Sequence, residues 1–141
     1  TLSETCRPIN RQMPMRRALL AAVLLAPLPA QAADLVMVEQ PGCTYCEAWM
    51  REVAPEYPKT DEGRFAPLTT VRLREAPPEG MTFDRPVVFT PTFVLVEDGA
   101  EIARLEGYPG EDFFWGLLGQ MLEEHTDYAP DAADDTEGGG T

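Results

Sequence analysis

The six residues PGCTYC at positions 41–46 decide how the rest of this chain is interpreted. They lie between an apolar run at 35–38, which predicts a strand, and a helical pattern that starts at Cys46. Two cysteines separated by two residues at such a junction are typical of a redox-active pair. Because residues three apart share one face of a helix, the two sulfurs can join with little movement of the backbone.

The two cysteines are predicted to have different roles. Cys43 would lie at the helix N-terminus, where unpaired N–H groups and the positive end of the helix dipole favour a thiolate, so it is the predicted nucleophile. Cys46 is the predicted resolving thiol, because it begins an apolar face that turns its sulfur toward the interior. That face continues through Trp49, Met50, Val53, Ala54 and Tyr57.

Cysteines at this spacing also occur in zinc sites and in structural disulfides. A closed zinc site needs four ligands, and the remaining candidates are Cys6, in a segment predicted to be removed, and the distant His125. A bridge that closes so short a loop would constrain the unfolded chain little. Redox chemistry is therefore favoured, and no metal site is predicted.

The start of the chain has the pattern of a secretory signal peptide. Arg16 and Arg17 precede an apolar run at 18–28, and a small-residue cleavage pattern ends at Ala32. Residues 1–32 are thus predicted to be an upstream extension and a signal peptide that is cleaved after Ala32. The run is too short to span a bilayer, so no stable membrane anchor is predicted.

The charge of the chain excludes some partners. The net charge is −13, and removing residues 1–32 would take away one acid and four arginines, leaving 23 acids against 7 bases in 109 residues. Such a chain repels nucleic acid and anionic lipid, so neither is a predicted partner. Solubility is sufficient to account for so many carboxylates.

An α/β domain is predicted over residues 33–125. A strand at 35–38, a helix from 46 to about 57 and an edge strand at 69–74 make a βαβ unit with parallel strands. Pro55 is expected to bend this helix or to end it earlier. Residues 81–89 are expected to form a single turn or an extended lead-in. The later elements are a strand at 90–96, a turn at 98–99, a strand at 101–106 and a helix at about 111–124.

The last helix and the C-terminus have contrasting compositions. The helix is predicted to pack on the core through Phe113, Phe114, Leu117, Leu118, Met121 and Leu122. Residues 126–141 carry several acids, no base and a run of three glycines. They are predicted to form a disordered acidic tail.

The series of elements resembles the thioredoxin superfamily, because Cys43 and Cys46 begin a helix after a strand and Thr90-Pro91 precedes another strand. The resemblance implies a minimal thioredoxin fold, with a central four-stranded mixed sheet (βαβ then ββα) and flanking helices. It also implies that Pro91 is a cis-proline beside the dithiol and that the backbone of Thr90 pairs with an extended substrate. Gly107 and Tyr108 would flank the same groove.

Residues 38–43, 90–95 and 106–115 resemble a narrower group, the small periplasmic thioredoxins of bacterial sulfur-oxidation systems. This implies a periplasmic enzyme that reduces a disulfide or persulfide on a partner protein, such as a sulfur-carrier protein. A membrane thiol-electron transporter would supply the electrons. The dithiol would itself be the redox group, with no cofactor.

The chain also departs from ordinary thioredoxin. Thr44 and Tyr45 replace the usual Gly-Pro and are predicted to tune the pair, with a reduction potential above that of thioredoxin. Met37 replaces a buried aspartate, which leaves Glu39 as the nearest acid to accept the Cys46 proton. Tyr45 is equally expected to line the groove or to pack.

Three further functions remain open from the sequence. A disulfide isomerase or oxidase would have the same motifs. A periplasmic copper carrier would use the two thiolates with Met37 or Met50 as ligands. A regulator that acts by contact alone would need neither sulfur.

Overall fold

The computed structural model describes residues 33–130, which form one four-stranded mixed sheet with helices packed beside it. In chain order the elements are β1 (Asp34–Glu39), α1 (Thr44–Glu52), a 3-10 turn (Tyr57–Lys59), α2 (Asp61–Phe65), β2 (Leu68–Arg72), β3 (Thr92–Glu97), β4 (Ala100–Glu106) and α3 (Glu111–His125). The strands lie in the order β2-β1-β3-β4. The predicted fold class is confirmed.

Strand β1 lies inside the sheet because its sequence is apolar on both faces. It pairs parallel with β2 and antiparallel with β3. Leu35 and Met37 face one core, whereas Val36 and Val38 face another. Strand β2 is therefore the parallel neighbour that the sequence predicted, and its exposed residues suit an edge position.

The larger core is built around Trp49, which α1 carries into the interior. Its ring centroid lies 5.1 Å from that of Phe93 and 5.6 Å from that of Phe114. Strand β3 and helix α3 supply these neighbours, and Tyr57 adds a third ring at 6.1 Å. Trp115 stacks on Tyr57. Both tryptophans therefore have packing roles.

The second face of the sheet is covered by the connection between β2 and β3. Val36, Val38, Val94 and Val96 form its buried layer, against which side chains of this connection pack. The connection makes a single bridge, Thr82 with Ala100. This agrees with the expectation that residues 81–89 are extended where they approach the next strand.

The predicted start of the first helix was wrong, because α1 begins at Thr44 and not at Cys46. The helix ends at Glu52 with Val53 as the C-cap, since Pro55 cannot continue the ladder, and this agrees with the expectation that Pro55 bends or ends the helix before Tyr57. Trp49, Val53 and Tyr57 are buried, but Met50 is 46% exposed and lies outside the core.

The apolar stripe predicted for the last helix was too wide. Phe114, Leu118, Met121 and Leu122 are buried on α3. Phe113 is 71% exposed and Leu117 41% exposed, so neither is a core residue. The sheet covers a narrower arc of the helix than the apolar residues occupy.

The C-terminal boundary also needs correction, because packed structure continues past Thr126. The Thr126 hydroxyl donates to the Leu122 carbonyl, and Tyr128 is buried with its ring 5.1 Å from that of Phe65. The predicted leader at 1–32 and the rest of the predicted tail lie outside the described residues. Within residues 33–130 no helix has the length and apolarity needed to cross a bilayer.

Two glycines provide a matched test of this packing. A side chain at buried Gly63 would overlap the Tyr57 carbonyl, whereas one at Gly116 on α3 would meet nothing. We expect Gly63→Ala to lower the free energy of unfolding by about 1–3 kcal/mol and Gly116→Ala to raise it by roughly 0.5–1 kcal/mol. Urea unfolding measures both, and equal effects at the two sites would contradict the packing described.

Candidate functional site

A tight turn delivers the cysteine pair to the start of α1. The Cys43 N–H donates to the Gln40 carbonyl at 3.3 Å, which closes the turn. Pro41 and Gly42 occupy its centre, and Gly42 has a φ of +75°, as the third position of a type II turn requires. The local sequence therefore places Cys43 at the point where the helix starts.

Cys43 is the N-cap of α1 and is joined to Cys46 by a disulfide. Their Cα atoms are 5.2 Å apart, and the Cys46 N–H donates to the Cys43 sulfur at 3.1 Å. Cys43 is 9% exposed and Cys46 is 3% exposed, and both belong to the larger core. This arrangement gives Cys43 the better access for attack and an N–H group to stabilise its thiolate.

The second segment of the site precedes β3. The Thr90–Pro91 peptide bond is cis. The Gln40 side-chain amide donates to the Thr90 hydroxyl at 2.9 Å, across 50 positions of sequence. Thr90 is thus held beside the turn that leads to the cysteines.

A third segment joins the other two through Pro91. The Gly107 N–H donates to the Pro91 carbonyl at 2.8 Å, and Gly107 adopts a φ of +91° just after β4 ends. Hydrogen bonds therefore connect the cysteine turn, the Thr90–Pro91 segment and the loop after β4. Parts of the chain that are far apart in sequence form one site.

A groove of about 1050 Å³ lies between α1, Thr90, the loop after β4 and α3. Four of the predicted site residues line it, namely Tyr45, Thr90, Gly107 and Tyr108, whereas Cys43, Cys46 and Pro91 do not. Tyr45 is 64% exposed, so it lines the groove and does not pack in the core. Thr44 is exposed beside it but does not line the groove.

The groove also contains residues that sequence reasoning missed. Phe89 and Leu117 add exposed apolar surface, and Glu52 adds a carboxylate. An apolar residue immediately before Thr90-Pro91 was the available signal for Phe89. Gln40 gave no comparable signal, because its partner is remote in sequence.

Tyr108 joins the loop after β4 to the end of α1. Its hydroxyl donates to the Glu52 carboxylate at 2.7 Å. Burial raises the pKa of Tyr108 above its ordinary value, with further contributions from the hydrogen bond to Glu52 and the charges of Glu52 and Glu111. The phenol therefore stays protonated at neutral pH and acts as a donor.

Glu39 lies at the end of β1, and its carboxylate oxygen is 3.9 Å from the Arg72 guanidinium on β2. Met37, in the strand position expected to lack an acid, is fully buried. Proton acceptance by Glu39 stays a prediction.

Residues 33–130 contain no group of three or more histidine, cysteine or carboxylate side chains arranged to hold a metal ion. The two methionines considered as copper ligands lie in different surroundings, since Met37 is buried and Met50 is exposed.

Comparison with known proteins agrees with the fold. The family profile described as "Thioredoxin-like domain" matches residues 30–122. The crystal structure of the periplasmic thioredoxin SoxS from Paracoccus pantotrophus, in its reduced form, matches with 53% sequence identity and a TM-score of 0.63. The match covers 65% of this chain and 97% of that chain. No curated protein matches significantly. Both resemblances predicted from the sequence are therefore confirmed.

The Tyr108 contact predicts a dependence of stability on pH. Tyr108→Phe is expected to lower the free energy of unfolding at pH 7 by about 1–2 kcal/mol, because Glu52 loses its donor. The raised pKa means that Tyr108 stabilises the fold fully below about pH 10, the unfolded value, and less as pH rises above it.

Urea unfolding of the parent and the variant between neutral and alkaline pH measures this difference. The variant should lose less stability than the parent across that range. If the difference in free energy of unfolding between the parent and the variant does not change with pH, the raised pKa of Tyr108 is contradicted.

Proposed function

This chain belongs to the thioredoxin-like domain family, and on that basis we propose that it is a thiol–disulfide oxidoreductase that reduces a disulfide or persulfide on a partner protein. The observation that carries the proposal is a disulfide at a helix N-terminus between the N-cap residue Cys43, which is 9% exposed, and Cys46, which is 3% exposed. The more accessible sulfur attacks, and the buried sulfur resolves the intermediate.

The reaction begins with both cysteines reduced. The Cys43 thiolate attacks one sulfur of the substrate disulfide, forming a mixed disulfide and releasing the other substrate sulfur as a thiolate. The Cys46 thiol loses its proton and attacks the Cys43 sulfur, which re-forms the disulfide and releases the second substrate thiol. Two electrons pass to the substrate together with the Cys46 proton, and solvent supplies the second proton. With a persulfide, hydrosulfide is the first leaving group.

The groove supports an extended protein substrate. Thr90 lies beside the cysteine turn, where its backbone would pair with the segment that carries the substrate sulfur. Tyr45 and Tyr108 offer aromatic surface on either side, and Gly107 leaves room for a close approach of the substrate backbone.

We propose that the protein works in the periplasm, which fits the periplasmic location of the similar SoxS and the secretory pattern at 1–32. A reducing role there needs a dithiol donor, and a membrane thiol-electron transporter is the class that supplies one. A sulfur-carrier protein is the proposed partner type. The dithiol needs no additional cofactor for this chemistry.

Variants of the two cysteines test the mechanism. We expect Cys43→Ser to abolish the reduction of insulin disulfides by dithiothreitol above the uncatalysed rate, since no nucleophile remains. Cys46→Ser should retain attack and accumulate a mixed disulfide, because nothing resolves it. Met50→Ser, on the exposed side of the same helix, is the matched control and should keep the parent rate.

The adduct that Cys46→Ser traps in cells identifies the partner by mass spectrometry. A protein joined to Cys43 through one of its cysteines is the expected product. If both cysteine variants keep full biological activity and trap nothing, the contact-only regulator is correct. Net oxidation or reshuffling of substrate disulfides would instead identify the oxidase or the isomerase.

A further inference from the structure

A buried ion pair on β4 lies outside the groove and was not predicted from the sequence. The Arg104 and Glu101 side chains are 5% and 3% exposed. Nε and Nη2 of Arg104 each donate to one Glu101 carboxylate oxygen at 2.6 Å. Two parallel charge-assisted bonds of this kind fix both side chains in orientation as well as in distance.

The strand must be irregular for this pair to form. Residues three apart on a regular strand face opposite sides of the sheet. Here Leu95 pairs with Ala103 while Val96 pairs with Glu101, so the register shifts and Ile102 is the extra residue. The bulge turns both charged side chains onto the second face of the sheet.

The pair holds the connection that covers this face. Glu101 accepts a hydrogen bond from the Asp84 N–H at 2.8 Å, and Arg104 donates to the Arg85 carbonyl at 2.9 Å. The Arg85 side chain donates in turn to Glu106 at 3.0 Å. Although burial alone would raise the pKa of Glu101, the bonds from Arg104 and Asp84 outweigh it and hold that pKa below its usual value. The carboxylate therefore stays charged at neutral pH.

The anchored residues lie just before the groove. Phe89 and Thr90, which line the groove, follow Arg85 within five positions and belong to no helix or strand. At their far end the Thr92 hydroxyl donates to the Phe89 carbonyl at 2.8 Å. The segment 86–91 is thus held at one end by the ion pair and at the other by β3.

We propose that Glu101 and Arg104 are positioning residues that set the placement of Phe89 and Thr90, and so determine how well the enzyme uses protein disulfides. This rests on the proposed function. A substrate that must pair with Thr90 depends on that placement. A small disulfide, which needs only access to Cys43, does not.

The test compares two substrates in the full chain. The variants are Glu101→Gln and the double change Glu101→Leu with Arg104→Met, which leaves no unpaired buried charge. The matched control is Tyr57→Phe, which removes a buried hydrogen bond to the Ala66 carbonyl on the other face. Each protein is assayed with insulin and with hydroxyethyl disulfide, at a temperature where circular dichroism shows it folded.

We expect the double variant to lose roughly tenfold in kcat/KM for insulin, mainly through KM, because a displaced contact segment weakens binding. Its rate with hydroxyethyl disulfide should stay within about twofold of the parent. Glu101→Gln, which keeps an acceptor for the Asp84 N–H, should lie between the parent and the double variant. Tyr57→Phe should leave both substrates unaffected.

An equal loss with both substrates, or no loss with insulin, would overturn the positioning role. Amide hydrogen exchange supplies a readout that needs no turnover. Exchange at Phe89 and Thr90 should be faster in the double variant than in Tyr57→Phe, and equal exchange would also overturn the proposal. If the parent itself reduces neither substrate, the oxidoreductase proposal fails, while the exchange result still decides the positioning.

Discussion

Because α1 begins immediately after Cys43, two chemically identical side chains acquire different environments. At the cap position the Cys43 sulfur accepts the Cys46 N–H, and Cys43 is 9% exposed. One turn later Cys46 is 3% exposed, and both residues contact the core around Trp49. An attacking sulfur needs access and a resolving sulfur needs proximity, so the start of the helix separates the two roles.

The groove exists because hydrogen bonds hold three separate segments against that helix start. Gln40 holds Thr90, and Pro91 holds Gly107. The sheet carries the first two of these segments on β1 and β3, which are buried on both faces, and the third on the half-buried β4. One face is closed by α1 and α3, and the other by an irregular connection attached to β4. On the first face, helix packing holds the cover on the sheet. On the second face, the ion pair of Glu101 and Arg104 holds the connection on the sheet through directed hydrogen bonds.

Local patterns in the sequence were enough to predict the strands, the parallel βαβ unit, the cysteine pair and the proline before β3, since each depends on neighbouring residues. The four-stranded mixed sheet was implied by the family resemblance. The side chains whose burial was predicted wrongly are those whose exposure depends on where a helix ends and on what packs against it. Met50 and Leu117 lie on apolar arcs, but the sheet covers only part of each helix. The Glu101–Arg104 pair needs a bulge at Ile102 that exists only when β4 pairs with β3. Such features follow from tertiary contacts, which the spacing of apolar residues along the chain does not predict.

Alkylation of the fully reduced protein at neutral pH tests the different roles of the two sulfurs most directly. A limiting amount of iodoacetamide, followed by peptide mass spectrometry, measures the relative rate at each cysteine. The difference in exposure and in helix position predicts that Cys43 is modified at least about tenfold faster than Cys46. Equal rates, or faster modification of Cys46, would contradict the assignment of Cys43 as the attacking sulfur.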